Sequence, residues 1–129
     1  MLGDIIELSI VVRDLEAAIK RFETLFDLKV YDRRESKEWG FKNAILPLGK
    51  GHIELMQPTD PSSAVGRFLE THGEGVYLVG FEVKDIDASA KKLRERGARV
   101  TLSPGTIAWV HPNDAHGVFV ELRKPEQYS

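Results

Sequence analysis

The sequence predicts an α+β protein made of two β-α-β-β-β half-units in tandem, and three observations carry that expectation. Val12-Arg13-Asp14-Leu15-Glu16-Ala17-Ala18-Ile19-Lys20-Arg21-Phe22 is echoed by Val83-Lys84-Asp85-Ile86-Asp87-Ala88-Ser89-Ala90-Lys91-Lys92-Leu93, at an offset of 83 − 12 = 71 positions, and each copy follows an apolar strand-like run. Each copy leaves through a basic residue and a valine, Lys29-Val30 and Arg99-Val100. Ile53-Glu54-Leu55 with Pro58 recurs as Val120-Glu121-Leu122 with Pro125, at an offset of 67. The half-units therefore span about residues 4–58 and 76–125, joined by a linker over 59–75.

In the first half, Ile5 to Val12 is rich in β-branched residues and reads as a strand. Asp14 stands at an N-cap position, and Leu15, Ala18, Ile19, Phe22 and Phe26 then recur at helical spacing, so a helix lays one apolar stripe on a sheet. Strands near Tyr31 to Arg34, over Phe41 to Leu48 and over His52 to Gln57 follow, the last two joined by a Gly49-Lys50-Gly51 turn. The linker opens on Pro-Thr-Asp-Pro-Ser-Ser and holds a short helical piece, Ala64 to Glu70. In the second half, Tyr77 to Val83 is a strand, Asp85 caps a helix, and Gly97 suits its left-handed end. Strands near Arg99 to Leu102, Ile107 to His111 and Gly117 to Leu122 complete the repeat, with Pro112-Asn113-Asp114 as a loop and the last seven residues as a frayed tail.

Composition narrows the class. The chain has 129 residues, 42% of them apolar and 29% charged, which suits one folded domain with a buried core. A net charge of −2 and a pI near 6.1, with no basic cluster apart from acids, exclude nucleic acid as an expected partner. No apolar run approaches the roughly 20 residues that span a bilayer, and no export signal is visible, so membranes are not expected partners either and a cytoplasmic setting is. Cysteine is absent, which removes disulfides, thiolate ligands and thiol nucleophiles.

Strand alternation sorts side chains by face. Ile6, Leu8, Ile10 and Val12, with Ile53 and Leu55, suit packing under the first helix; Val79, Phe81 and Val83, with Val120 and Leu122, suit the second. Glu7, Ser9 and Val11, His52, Glu54 and Met56, Leu78, Gly80 and Glu82, and Phe119 and Glu121 then share the opposite, helix-free faces. Glu7, Glu54 and Glu121, each between apolar neighbours in a strand, point to a polar site there. The alternative is that Glu7 and Glu54 lie on solvated sheet faces.

With V-x-D-Φ opening each helix and Φ-E-L closing each half, the chain resembles the vicinal oxygen chelate superfamily of glyoxalase I, extradiol dioxygenases and the fosfomycin and bleomycin resistance proteins. Ile53-Glu54-Leu55-Met56-Gln57-Pro58, Gly73-Glu74-Gly75, Phe81-Glu82-Val83 and His111-Pro112 through Gly117-Val118-Phe119-Val120-Glu121-Leu122 are most similar to the methylmalonyl-CoA epimerases. The resemblance implies a glyoxalase-like fold in which both halves contribute to a curved mixed-sheet cup with helices outside, and a homodimer. It implies a divalent metal held at positions that fall here on Glu7, Glu54, Leu78 and Glu121. Two of these positions are histidine in the epimerases and are Glu7 and Leu78 here, and leucine cannot bind a metal. The remaining three carboxylates form an oxygen-only set that favours Mg, Mn or Ca over Zn or Fe, or that binds no cation. Without a cation, clustered carboxylates repel, and at least one stays protonated near neutral pH.

The expected activity is that of an isomerase or lyase acting α to a carbonyl, epimerase-like or glyoxalase-like, with Glu54 and Glu121 as proton carriers. Dioxygenase chemistry is disfavoured, because two histidines with a carboxylate are absent from these positions. One alternative is a metal-free protein that binds or sequesters a small molecule. Another is an enzyme that lost the metal and uses Glu7, Glu54 and His52 for acid-base work. His52, Trp109, His111 and His116 are candidate contacts to a small-molecule substrate. Phe41 and Trp39 are candidate walls, and Arg13, Arg33, Arg34 and Lys50 are either partners for an acidic group or ordinary surface charge. His72 reads as surface.

Overall fold

The computed structural model describes residues 1–126. The elements follow in the order β1 (Ile5–Val11), α1 (Leu15–Phe26), β2 (Asp32–Ser36), β3 (Phe41–Leu48), β4 (Gly51–Pro58), α2 (Ala64–His72), β5 (Gly75–Glu82), α3 (Ile86–Glu95), β6 (Val100–Ser103), β7 (Ile107–Val110), a short 3-10 helix (Pro112–Ala115) and β8 (Val120–Arg123). This is an α+β fold of β-α-β-β-β units in tandem, with strand pairs of both senses. The described residues divide into two compact units, one running from Leu8 to Tyr77 and the other joining Met1–Glu7 to residues 78–126.

In the Leu8–Tyr77 unit the strand order is β2-β3-β4-β1, with β2/β3 and β3/β4 antiparallel. β3 and β4 are joined at the Leu48↔Gly51 pair, with Gly49 at φ 57°, as a two-residue hairpin turn requires. Asp14 caps α1 by accepting from the Ala17 N–H at 3.1 Å, and the Leu15 N–H is taken by Gln57 of β4 at 2.8 Å, so two orphan donors of the helix start are satisfied. The stripe of α1 packs Leu15 and Ile19 on Val12, Ala44, Leu46 and Leu55. Leu46 and Leu55 are fully buried, each contributing about 1.5–3 kcal/mol by leaving water.

The sequence suggested that the opposite face of this unit is free of helices, and it is not. Val65 of α2, with Phe68 and Leu69, packs on Val11, Met56, Phe41 and Tyr77. The linker helix is two residues longer than its apolar spacing indicated, and Ser63 caps it through the Gly66 N–H at 3.0 Å.

In the second unit, the start of β1 leads into the order β5-β8-β7-β6. The Gly3 N–H donates to the Glu82 carbonyl at 2.7 Å and the Glu82 N–H to the Asp4 carbonyl at 2.9 Å, tying the N-terminal residues to β5. β5 and β8 are parallel, and β7 is antiparallel to β8 and to β6. Asp85 caps α3 through the Ala88 N–H at 3.0 Å, and Ile86 and Ala90 pack on Val83, Ala108 and Leu122. Gly97 follows with φ 94°. β8 starts at Val120, later than Gly117, because Gly117 holds a φ of 92° that no strand uses. It also runs through Arg123, so Arg123 belongs to the sheet and not to a tail. Of the seven-residue tail read from the sequence, the last three residues lie outside the described ones.

Candidate functional site

Two buried polar clusters stand on strand faces turned away from α1 and α3, one in each unit. In the unit that contains β8, the register sets Gly80 beside Glu121 and Trp109 opposite Glu121, with Ile107 opposite Arg123. Side chains two residues apart on a strand share a face, so Glu121 and Arg123 point the same way. Arg123 Nη1 donates to Glu7 Oε2 at 2.5 Å and to Glu121 Oε2 at 3.4 Å, and Trp109 Nε1 donates to Glu121 Oε1 at 2.8 Å. Glu7 and Glu121 are each only 5% exposed. The remaining guanidinium atoms are also engaged: Nε donates to the Lys124 carbonyl at 3.2 Å, and Nη2 lies 3.8 Å from Glu126.

Gly80 makes this closeness feasible. A Cβ there would stand 2.7 Å from Glu7 Cβ and 3.6 Å from both Glu121 Oε2 and Arg123 Cδ. Only a residue without a side chain lets the two carboxylates and the guanidinium close over the same point of the sheet.

Burial pushes the Glu121 carboxyl up to about 9, and the charge of Glu7 and a hydrogen bond with Glu7 push the same way; Arg123 and the Trp109 N–H oppose them. The outcome is a carboxyl that holds its proton at neutral pH beside a carboxylate, as repelling carboxylates require. Burial works against the Arg123 charge, but Glu7, Glu121 and Glu126 outweigh it and hold the guanidinium above its ordinary value.

In the Leu8–Tyr77 unit, Glu54 is the centre. Ser9 Oγ donates to Glu54 Oε1 at 2.6 Å, and Asn43 Nδ2 donates to Glu54 Oε2 at 2.5 Å. Ser9 and Asn43 are buried, and Asn43 Oδ1 has no hydrogen-bond partner. The register explains the meeting: Asn43 pairs with Met56 and Glu54 with Ile45, so Asn43 and Glu54 are diagonal neighbours on one face of the β3/β4 hairpin. His52, on the same face opposite Pro47, is only 5% exposed.

The other candidates stand apart. His111 and His116 are exposed at the two ends of the 3-10 helix; the Asn113 N–H donates to His111 Nδ1 at 3.1 Å, and His116 holds a left-handed φ of 53°. That loop is pinned by a fork from Arg99, whose Nε and Nη2 reach the Asp114 carboxylate at 3.0 and 3.1 Å. The Arg99 guanidinium lowers Asp114 to about 2. Trp39 is 60% exposed, and Phe41 packs against Met56 and Val65 of α2. Arg13, Arg33 and Arg34 carry ion pairs with Glu74, Glu16 and Asp32 on the surface. Leu78, one of the four positions on which the resemblance implies a metal, is buried. Among the described residues, no group of three or more His, Asp or Glu is placed to hold a metal ion.

Sequence reasoning missed Arg123 and Asn43. Arg123 lies two residues past Glu121 and shares its face by simple alternation, a signal that the following Lys-Pro obscured by resembling a chain exit. Asn43 is a polar residue leading into the apolar run Ala44-Ile45-Leu46, an anomaly of the same kind as Glu54.

The fold is that of one protein class: the Glyoxalase/Bleomycin resistance protein/Dioxygenase superfamily matches over residues 7–111, and the chain belongs to it. Within it, the chain is 31% identical to the ethylmalonyl-CoA/methylmalonyl-CoA epimerase of Cereibacter sphaeroides, over 96% of this chain and 99% of that protein. The mitochondrial methylmalonyl-CoA epimerase of Homo sapiens is 28% identical over 95% of this chain and 74% of that protein. A variant of Streptomyces coelicolor methylmalonyl-CoA epimerase, solved with 2-nitronate-propionyl-CoA, superposes with a TM-score of 0.90 at 30% identity, covering 98% of this chain and all (100%) of that one. No helix among the described residues is long and apolar enough to cross a membrane.

Proposed function

We propose that the chain is an epimerase-type isomerase that moves a proton on the carbon α to a carbonyl, with an acyl-CoA thioester of the kind named for its relatives as substrate. The observation that carries this reading is Glu121: a buried carboxyl, held by Trp109 and paired with Glu7, in a chain similar to epimerases along its whole length. An α-proton is removed to give an enolate and returned to the carbon, so the chemistry needs groups that take and give protons in a site that excludes water. Glu121, protonated, gives a proton. Glu54, whose two oxygens each accept a hydrogen bond, is the group proposed to take one. His52, His111, His116 and Trp109 remain the proposed contacts to substrate, and the working protein is proposed to be a cytoplasmic homodimer.

A second reading, a binding protein of the same fold, is favoured by Leu78, which no metal can use. Deuterium exchange at the α-carbon of methylmalonyl-CoA separates the two. Exchange catalysed by the protein, with epimerisation lost in Glu121→Gln, supports the isomerase; binding with no exchange supports the carrier.

A further inference from the structure

We infer that Arg123 is a built-in cation: its guanidinium takes the place between Glu7 and Glu121 where a divalent metal would otherwise sit, so the protein works without one. The inference deepens the proposed function, resting on the same placement of Glu7 and Glu121, but its test reads metal uptake and not turnover.

The donor set does not suit a metal. Of the four positions, one is Leu78, and the three carboxylates are committed to protein donors. Glu7 and Glu121 share Arg123 Nη1, Glu121 Oε1 is taken by Trp109 Nε1, and both oxygens of Glu54 are taken by Ser9 and Asn43. Mg and Ca need six or more oxygen ligands, several of them free to turn toward the ion. A divalent ion seated against Glu7 would also meet a guanidinium that cannot give up its proton, and like charges at that separation in a buried setting exclude each other.

The guanidinium supplies part of what a metal supplies. It is a permanent positive charge, and it neutralises Glu7 without needing a ligand shell. It does not acidify bound water, so hydrolytic or oxygen-activating chemistry gains nothing from it, whereas enolate chemistry needs only positive charge and hydrogen-bond donors. Gly80 fixes the arrangement, since any side chain there would separate Glu7 from the guanidinium. The side chain of Arg123 is 20% exposed, so it is reachable from solvent at one edge while its charge is spent inward.

Equilibrium dialysis of the intact protein against Mn2+, Mg2+, Ca2+ and Zn2+ at millimolar concentration, followed by elemental analysis, tests this. The wild type is expected to retain no stoichiometric metal, and Arg123→Met, which frees the Glu7 carboxylate and one oxygen of Glu121, is expected to bind Mn2+ at least about tenfold more tightly than the wild type. Stoichiometric metal on the wild type that disappears in Glu7→Gln overturns the inference. So does a folded Arg123→Met that gains no affinity for Mn2+. Should Arg123→Met fail to fold, the double variant Glu7→Gln/Arg123→Met removes both charges: recovered folding supports the pair as a unit, and continued failure overturns it. A failed epimerase reading would show in the exchange assay and leave these metal results untouched.

Discussion

Arg123 and Glu7 stand 116 positions apart in the chain and meet at 2.5 Å, with Glu7 buried to within 5% of full burial. The contact ties the last strand to the first within one compact unit, and it sets the charge state of the glutamate beside them.

Removing one partner of such a pair leaves an uncompensated buried charge, which costs far more than the pair contributes. Arg123→Ala is therefore expected to lower unfolding free energy by about 3–5 kcal/mol. Glu7→Gln/Arg123→Met is expected to recover most of that loss. Urea unfolding followed by circular dichroism measures both, and equal stability of Arg123→Ala and wild type would contradict the account.

Gly80→Ala places a methyl group 2.7 Å from Glu7 Cβ. Overpacking of this kind costs about 1–3 kcal/mol, and here it also drives Glu7 off the guanidinium. The expected result is a destabilised protein whose α-proton exchange falls more than its folded fraction does. Exchange per folded molecule at the wild-type rate would show that the close approach has no role in the chemistry.

Asp114, lowered to about 2 by the Arg99 guanidinium, gives a pH signature for the loop that bears His111 and His116. A carboxyl whose folded pKa lies below its unfolded value stabilises above the unfolded value, 3.8, and loses that contribution as pH falls towards about 2. The stability gap between wild type and Asp114→Asn should be present at neutral pH and close across that acid window. The pair is exposed, so the gap is modest. A gap that widens on acidification would mean that the Arg99 fork is not formed in solution.

The helices were legible in the sequence because their signals are local: Asp14 and Asp85 each accept from the N–H three residues on, and the apolar stripe behind each cap meets the core, except for Phe26 at the end of the first, which is 57% exposed. Strand faces were legible by alternation, which put Glu7 and Glu121 where they are. Pairing was not. That Trp109 faces Glu121, or that Asn43 falls diagonal to Glu54, follows from register between segments whose alignment no local pattern fixes. The packing of α2 on Val11 and Met56 was invisible for a similar reason, since its apolar residues name a buried side without naming what buries it. Arg123 was lost because Arg-Lys-Pro reads as an exit when its partner, Glu7, lies at the other end of the chain.

The most direct test of the central claim is deuterium exchange at the α-carbon of methylmalonyl-CoA, followed by proton NMR together with epimerisation, for wild type and for Glu121→Gln with folding checked by circular dichroism. The expected result is exchange catalysed by the wild type and a loss of about 10²–10⁴-fold in epimerisation by a folded Glu121→Gln, the contribution expected of a positioned acid-base group. A wild type that binds the thioester without exchange, or a Glu121→Gln that epimerises at the full rate, would contradict it.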